Sequence, residues 1–236
     1  YFSSALENMQ TAYLLVTSVA ESEMKYVDAL REKGINVWAY PSAHTVYFEN
    51  IYGENQDNRK QNVLQQADPF SVEQLVDAEA KIFHLGPLLA GDIPLELIKY
   101  LASKGKVSLD AQGYLRKVVK QKVHPVDWPD KQAALQYVDI LKADEAEMSV
   151  LTSCKDIKEG TKILAGWGVK EALITNGSMG SAIYNNGVLY DIPAYPPKVV
   201  VDATGCGDTY MAGYLYQRTK GAGIQQSGQF AAAMAS

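Results

Sequence analysis

From about residue 80 onward the sequence repeats one pattern: a short apolar, β-rich run, then a stretch with helical spacing. Runs at 82–85, 107–110, 139–142 and 172–175 predict strands, and 95–104 predicts a helix between the first two. Short apolar runs separated by helices are what strands buried on both faces require, because each helix returns the chain to start a parallel neighbour. The chain therefore reads as α/β, with a central, mostly parallel sheet covered by helices on both faces in a three-layer sandwich. In open sheets of this kind ligands collect at the carboxyl ends of the strands. The polar residues that follow the runs carry weight for that reason: Gly86, Asp110, Asp144 and the turn Thr175-Asn176-Gly177.

Two segments depart from the pattern. Residues 40–66 read as strands around a polar turn, with little apolar content on the second strand, so this hairpin cannot bury both faces. It is either an exposed edge or a flap that covers a site or pairs with another subunit. Residues 181–190 hold Asn186-Gly187 between two β runs, a strong tight-hairpin signal. No internal repeat, low-complexity tract or linker is evident, so 1–236 reads as a single domain with the β element inserted at about 40–66. The chain opens at Tyr1 within a helix-like stretch and closes within another at 230–235, which suggests that residues are lacking at both ends.

Composition narrows the function classes. The 236 residues carry a formal charge of −5, and 47% of them are hydrophobic. Such a chain has no clustered cationic face for nucleic acid. The tightest basic group, Arg116, Lys117, Lys120 and Lys122, reads as a solvated surface. Two cysteines, Cys154 and Cys206, without histidines at metal spacing, exclude a disulfide scaffold or zinc ribbon. No apolar run approaches the ~20 residues of a membrane span and no signal peptide is visible, so the cytoplasm is the expected location.

The stretch that carries chemistry follows a short apolar run at 199–201: Asp202-Ala203-Thr204-Gly205-Cys206-Gly207-Asp208, then a helix from Thr209. A glycine turn between strand and helix exposes unpaired N–H groups and the positive end of the helix dipole, which makes an anion site suited to phosphate. Asp208 opposes an anion by repulsion. It is there either as a favourable acid in a helix first turn or as a base that takes a proton from an attacking hydroxyl.

These residues resemble the C-terminal signature of the PfkB/ribokinase carbohydrate kinases, Asp-Thr-Thr/Ala-Gly-Ala-Gly-Asp-x-Phe-x-x-Gly. The resemblance implies that Asp208 is the catalytic base and that Gly205, Cys206 and Gly207 form an anion hole of backbone amides. Ala203 stands where Thr is common and Cys206 where Ala is usual, read as a small filler at a main-chain site. The family's Asn-x-x-Glu, which orders magnesium and phosphate, falls on Asp144-Glu145-Ala146-Glu147, so Asp144 and Glu147 are the metal/phosphate candidates. Acids at a strand end suit a hard cation, and they equally suit a helix start. Thr175, Asn176, Gly177 and Gly180 resemble the glycine turn beside the ATP phosphates, with Thr204 a further ATP contact. The 107–116 stretch resembles a segment that runs past the acceptor, where Arg116 either holds an anionic group or pairs with an acid. The hairpin, with Tyr47 and Glu49, matches the family's substrate lid, which can also form a homodimer contact. Residues 1–19 would follow the family's Gly-Gly substrate motif, leaving its first strand, and the last helices over adenine, outside the chain.

The resemblance implies a ribokinase-like fold, ATP and Mg2+ as cofactors, and transfer of the γ-phosphoryl group to a hydroxyl of a sugar or related polyol. Nucleoside and inositol acceptors are open within the lidded branch. A vitamin kinase of the hydroxymethylpyrimidine or pyridoxal type fits Cys206 but lacks the lid. A non-catalytic binding protein on this fold has no need of Asp208, and a nicotinamide dehydrogenase places its glycine motif after the first strand.

Overall fold

A computed structural model describes residues 1–7, 9–51, 60–197 and 204–236. In chain order its elements are α1 (Phe2–Leu6), β1 (Leu15–Val19), α2 (Met24–Glu32), β2 (Val37–Pro41), β3 (Tyr47–Ile51), β4 (Lys60–Gln65) and β5 (Ile82–Leu85). Then come α3 (Leu95–Lys104), β6 (Lys106–Asp110), β7 (Arg116–Val119), β8 (Lys122–Pro125), α4 (Lys131–Leu135), β9 (Ile140–Asp144), α5 (Glu145–Thr152) and α6 (Ile157–Gly166). The chain closes with β10 (Glu171–Thr175), β11 (Ser181–Asn185), β12 (Val188–Ile192), α7 (Cys206–Thr219) and α8 (Ile224–Met234). The expected strand at 199–201, Asp202, Ala203 and the polar turn at 53–58 lie outside the described residues.

The main sheet has six strands in the order β12-β11-β10-β9-β6-β5. The strands β5, β6, β9 and β10 run parallel, as the apolar runs predict. The last two are antiparallel, with Asn185 opposite Val188 across a two-residue turn. Asn186 and Gly187 both take positive φ there, as such a turn requires. A separate parallel pair, β1 with β2, carries its own small core around Val27, Ile35 and Val37.

Alternation along β9 and β10 sets the layers. Leu141, Ala143, Ala172 and Ile174 pack with Leu97, Ile98 and Leu101 of α3, Met148 and Leu151 of α5 and Leu164 of α6. Ile140 and Leu173 face the other way, onto Tyr210, Met211, Tyr214 and Leu215 of α7 and Ala231 of α8. Each fully buried Leu or Met here contributes ~1.5–3 kcal/mol relative to exposure. Helices on both faces of a mixed sheet make the α/β sandwich that the sequence predicts.

Two polar links fix α7 on this sheet. Glu171, buried at the start of β10, accepts from the Tyr214 hydroxyl at 2.7 Å and from Arg218 at 2.6 and 3.2 Å. A carboxylate without water is tolerable only when paired in this way. Nearer the first turn of α7, the Tyr210 and Ser181 hydroxyls lie 2.7 Å apart.

The small sheet runs β3-β4-β8-β7, antiparallel throughout. Its first half is the predicted hairpin. Its second half is the basic stretch read as a solvated surface: Lys117 and Val119 point to one face, Arg116 and Val118 to the other. The strand at Val37–Pro41 belongs to the β1–β2 pair instead.

Candidate active site

The turn at Gly205 starts α7 as expected. Gly205 holds φ +84° as the N-cap, a conformation that suits glycine alone at little cost, and as a glycine it offers the helix no capping side chain. The first-turn N–H groups, including those of Cys206 and Gly207, have no partner within the helix. Thr204 precedes them, half-buried, and the ring of Tyr1 packs against Gly205.

Asp208 lies half-buried in the same turn. Burial first, and the Asp110 carboxylate second, raise its proton affinity, while Lys142 pulls the other way. A carboxylate whose affinity for a proton is raised is a better base than a solvated one.

Beneath the turn runs a polar stripe of which sequence reasoning singled out Asp110 but not Lys142, His84 or Ser108. Lys142, in the middle of β9, pairs with Asp110 at the end of β6 at 3.0 Å, and both side chains are nearly buried. The parallel register sets Asp110 opposite Lys142. Next to it, His84 Nδ1 and Ser108 Oγ are 3.0 Å apart, and the His84 ring stacks on Phe2 at 4.6 Å between centroids. Enclosure by protein atoms pushes His84 down to about 4, even though one edge keeps some exposure. The available signal was a charged residue inside an otherwise apolar run, Ile140-Leu141-Lys142-Ala143.

Asp144 and Glu147 meet as the other acids of the site. Asp144 Oδ1 accepts from the Glu147 N–H at 2.7 Å and Glu147 Oε2 accepts from the Asp144 N–H at 2.8 Å, a reciprocal cap on α5. Both readings of these acids thus have a basis: they do start a helix, and each keeps a second oxygen outside the cap. Glu147 has its carboxyl raised chiefly by burial, with Lys142 opposing and Asp144 and Asp110 adding. Among the described residues no group of three or more His, Cys, Asp or Glu gathers as a metal cage. Two hard carboxylate oxygens fit Mg2+ that takes its remaining ligands from phosphates and water.

An open cleft of about 560 Å³ lies beside them, lined by Asp144, Glu145, Ser149, Lys155, Thr175, Asn176 and Gly177. Asn176 N–H donates to the Gly180 carbonyl at 2.8 Å, which closes the turn and buries Gly180. The structure therefore brings Asp144, Thr175, Asn176 and Gly177 of the expected metal and ATP residues into one cleft, whereas Glu147, Gly180 and Thr204 do not line it, and Lys142 connects Asp144 to Asp208 electrostatically. The substrate candidates do not come together in this way. Tyr47 and Glu49 lie on the exposed face of the small sheet, where Glu49 accepts from Asn62 at 2.8 Å. Arg116 lies on the opposite face, half-buried.

The model for "pfkB family carbohydrate kinase" matches residues 21–236. The chain belongs to the PfkB family. Relatives of this PfkB chain include a cytidine kinase of Thermococcus kodakarensis, 30% identical over 151 residues, 63% of this chain and 51% of the relative. A ribokinase of Arabidopsis thaliana is 33% identical over 117 residues, 47% of this chain and 31% of the relative. The PfkB chain thus spans about half the length of the first relative and less of the second. Among solved structures, a pyrophosphate-dependent kinase in the ribokinase family, in a sulfate complex, aligns with TM-score 0.89 and 30% identity over 99% of this chain and 82% of that one. Arabidopsis ribokinase complexed with ribose and ATP aligns with TM-score 0.79 at 22% identity, covering 100% and 78%, and supports the fold.

Proposed function

We propose that the protein transfers the γ-phosphoryl group of ATP to a hydroxyl of a sugar or related polyol. Asp208 carries the reading: a half-buried carboxylate of raised proton affinity in the first turn of a helix whose N-cap is a glycine and so has no side chain to cap its N–H groups. Such a turn accepts the transferred phosphate, and proton removal from an attacking hydroxyl gives a carboxylate a role beside it that a favourable place in the first helical turn does not. Thr204, Gly205, Cys206 and Gly207 hold the transferred phosphate, and the Thr175–Gly180 turn holds the rest of the donor. Asp144 and Glu147 would hold Mg2+, which when bound neutralises phosphate charge. The acceptor hydroxyl approaches Asp208 in line with the donor and gives up its proton to the carboxylate as the bond to phosphorus forms. The small sheet covers the acceptor and excludes water.

A second donor, pyrophosphate, is favoured by one observation. Neighbours of 30% and 28% identity over 99% of the chain are described as pyrophosphate-dependent kinases, one complexed with a pyrophosphate analog and myo-inositol. Nucleosides stay open as acceptors beside inositol and sugars, in keeping with the names of the relatives. The test is phosphoryl transfer from ATP and from pyrophosphate to a panel of ribose, myo-inositol, cytidine and adenosine. Replacement of Asp208 by Asn should lower kcat ~10²–10⁴-fold while donor binding persists. Acceptor-dependent turnover unchanged in Asp208→Asn would overturn the assignment.

A further inference from the structure

Lys142 has no role in the reading above, yet its position is specific. It stands inside a buried strand between Leu141 and Ala143, with 7% of its side chain exposed. Its Nζ is 3.0 Å from Asp110 Oδ2 and also 3.0 Å from where a Cβ on Gly207 would sit. The ammonium therefore occupies the space that the missing side chain of Gly207 leaves, directly against the backbone of the phosphate turn. Around it stand Asp110, Asp144, Glu147 and Asp208, and Lys142 acts electrostatically on each of them.

A plain structural ion pair is the competing account. Buried pairs contribute little net stability over apolar residues of the same size, so stability alone gives weak grounds for a Lys in this strand. It also gives no reason for the ammonium to press on the turn at Gly207. A fixed cation beneath an anion site does give one, since preorganised charge in a site of low dielectric needs no rearrangement when charge develops.

We propose that Lys142 is a positioning residue for phosphoryl transfer: tethered by Asp110, its ammonium supports the turn at 205–207 and sets the transferred phosphate against the Asp208 carboxylate. The proposal rests on the reading of that turn as the transfer centre. Asp110 is the tether that keeps the ammonium from turning towards Glu147 and Asp144, and Gly207 is glycine because any side chain there would displace it.

The experiment compares wild type with Lys142→Gln/Asp110→Asn, a neutral pair that can still hydrogen-bond, and with Asp110→Asn alone. Thermal midpoints, kcat, the KM for each substrate and calorimetric binding of pyrophosphate and of a non-hydrolysable ATP analogue are read together. The neutral pair is expected to keep a midpoint near wild type while kcat falls ~10²-fold or more, with the acceptor KM nearly unchanged and donor binding weakened. Wild-type kcat and donor binding in the folded neutral pair would overturn the proposal, since a structural pair predicts them. Should the neutral pair not fold, Asp110→Asn decides, assayed well below its midpoint. A fall in kcat supports a tethered ammonium, and wild-type kcat refutes it. Failure of the underlying reading looks different: wild type would then transfer no phosphoryl group, or Asp208→Asn would match it.

Discussion

Replacing Gly207 by Ala adds a single methyl group at the point where the phosphate turn meets Lys142. The new Cβ would lie 3.0 Å from Lys142 Nζ and 3.4 Å from its Cε, closer than ordinary van der Waals contact. Lys142 must retreat by a few tenths of an ångström, and its 3.0 Å bond to Asp110 resists that movement. Two terms of opposite sign act on stability. Ala is favoured over Gly within a helix by ~1 kcal/mol, whereas overpacking a filled site costs ~1–3 kcal/mol. The net loss is therefore about 0–2 kcal/mol, and at about 2–4 °C per kcal/mol the midpoint falls by at most about 8 °C. Catalysis is expected to respond as well: a displacement of about 1 Å at a reacting centre costs ~10²-fold in rate, so a few tenths of an ångström should lower kcat roughly 3–5-fold. Thermal unfolding and steady-state phosphoryl transfer on the same preparation test both halves. Wild-type turnover in folded Gly207→Ala would refute the claim that this glycine makes room for the ammonium.

Two further substitutions test the acid at the start of α5 and the stripe under the turn. Asp144→Asn keeps an equally good helix cap and loses only charge, so stability should change by less than about 1 kcal/mol. The Mg2+ concentration for half-maximal activity should nevertheless rise ~10-fold or more; an unchanged Mg2+ titration would show that the negative charge of Asp144 takes no part in holding the metal. His84→Gln tests the stripe under the turn by pH. His84 is held to about 4 against an ordinary 6.5, so its neutral form stabilises the fold above pH 6.5, and that contribution disappears as pH falls towards 4. The shift bounds the effect at about 3 kcal/mol, and the partly exposed ring edge reduces it to roughly 1–3 kcal/mol. Urea denaturation of wild type and His84→Gln at pH 7 and 4.5 should show wild type losing more stability on acidification, and equal losses would contradict a buried neutral ring.

The parts of the molecule that sequence reasoning recovers are those with a local cause. Strands β5, β6, β9 and β10 announce themselves because burial on both faces demands short apolar runs. The hairpin at Asn186-Gly187 is visible because its positive φ values select those residues. The hairpin joining β7 to β8 turns at Lys120 and Gln121, whose φ values of 48° and 64° are also positive, but nothing in a Lys-Gln pair signals such a turn. Its basic residues alternate across a sheet and so resemble a solvated surface. The site divides on the same line. Gly205, Cys206, Gly207 and Asp208 form one contiguous motif at the start of α7. Lys142 needs the register that sets it opposite Asp110, thirty-two positions earlier, and register is a property of the folded sheet.

The small sheet is drawn from two segments far apart in the chain. Among the described residues, the Asn62–Lys122 step and a 2.7 Å hydrogen bond from Val63 N–H to the Gln121 carbonyl join its hairpins. Neither hairpin supplies a strand to the six-stranded sheet or a residue to the stripe at His84, Asp110 and Lys142. Mutational drift in one hairpin therefore leaves the pairing of the other, and the chemistry below, largely untouched. Under the proposed reading of the small sheet as the acceptor's cover, such a division would let new acceptors be explored by rewriting a few surface strands, and the same strands would be the segments to exchange when specificity is to be redesigned.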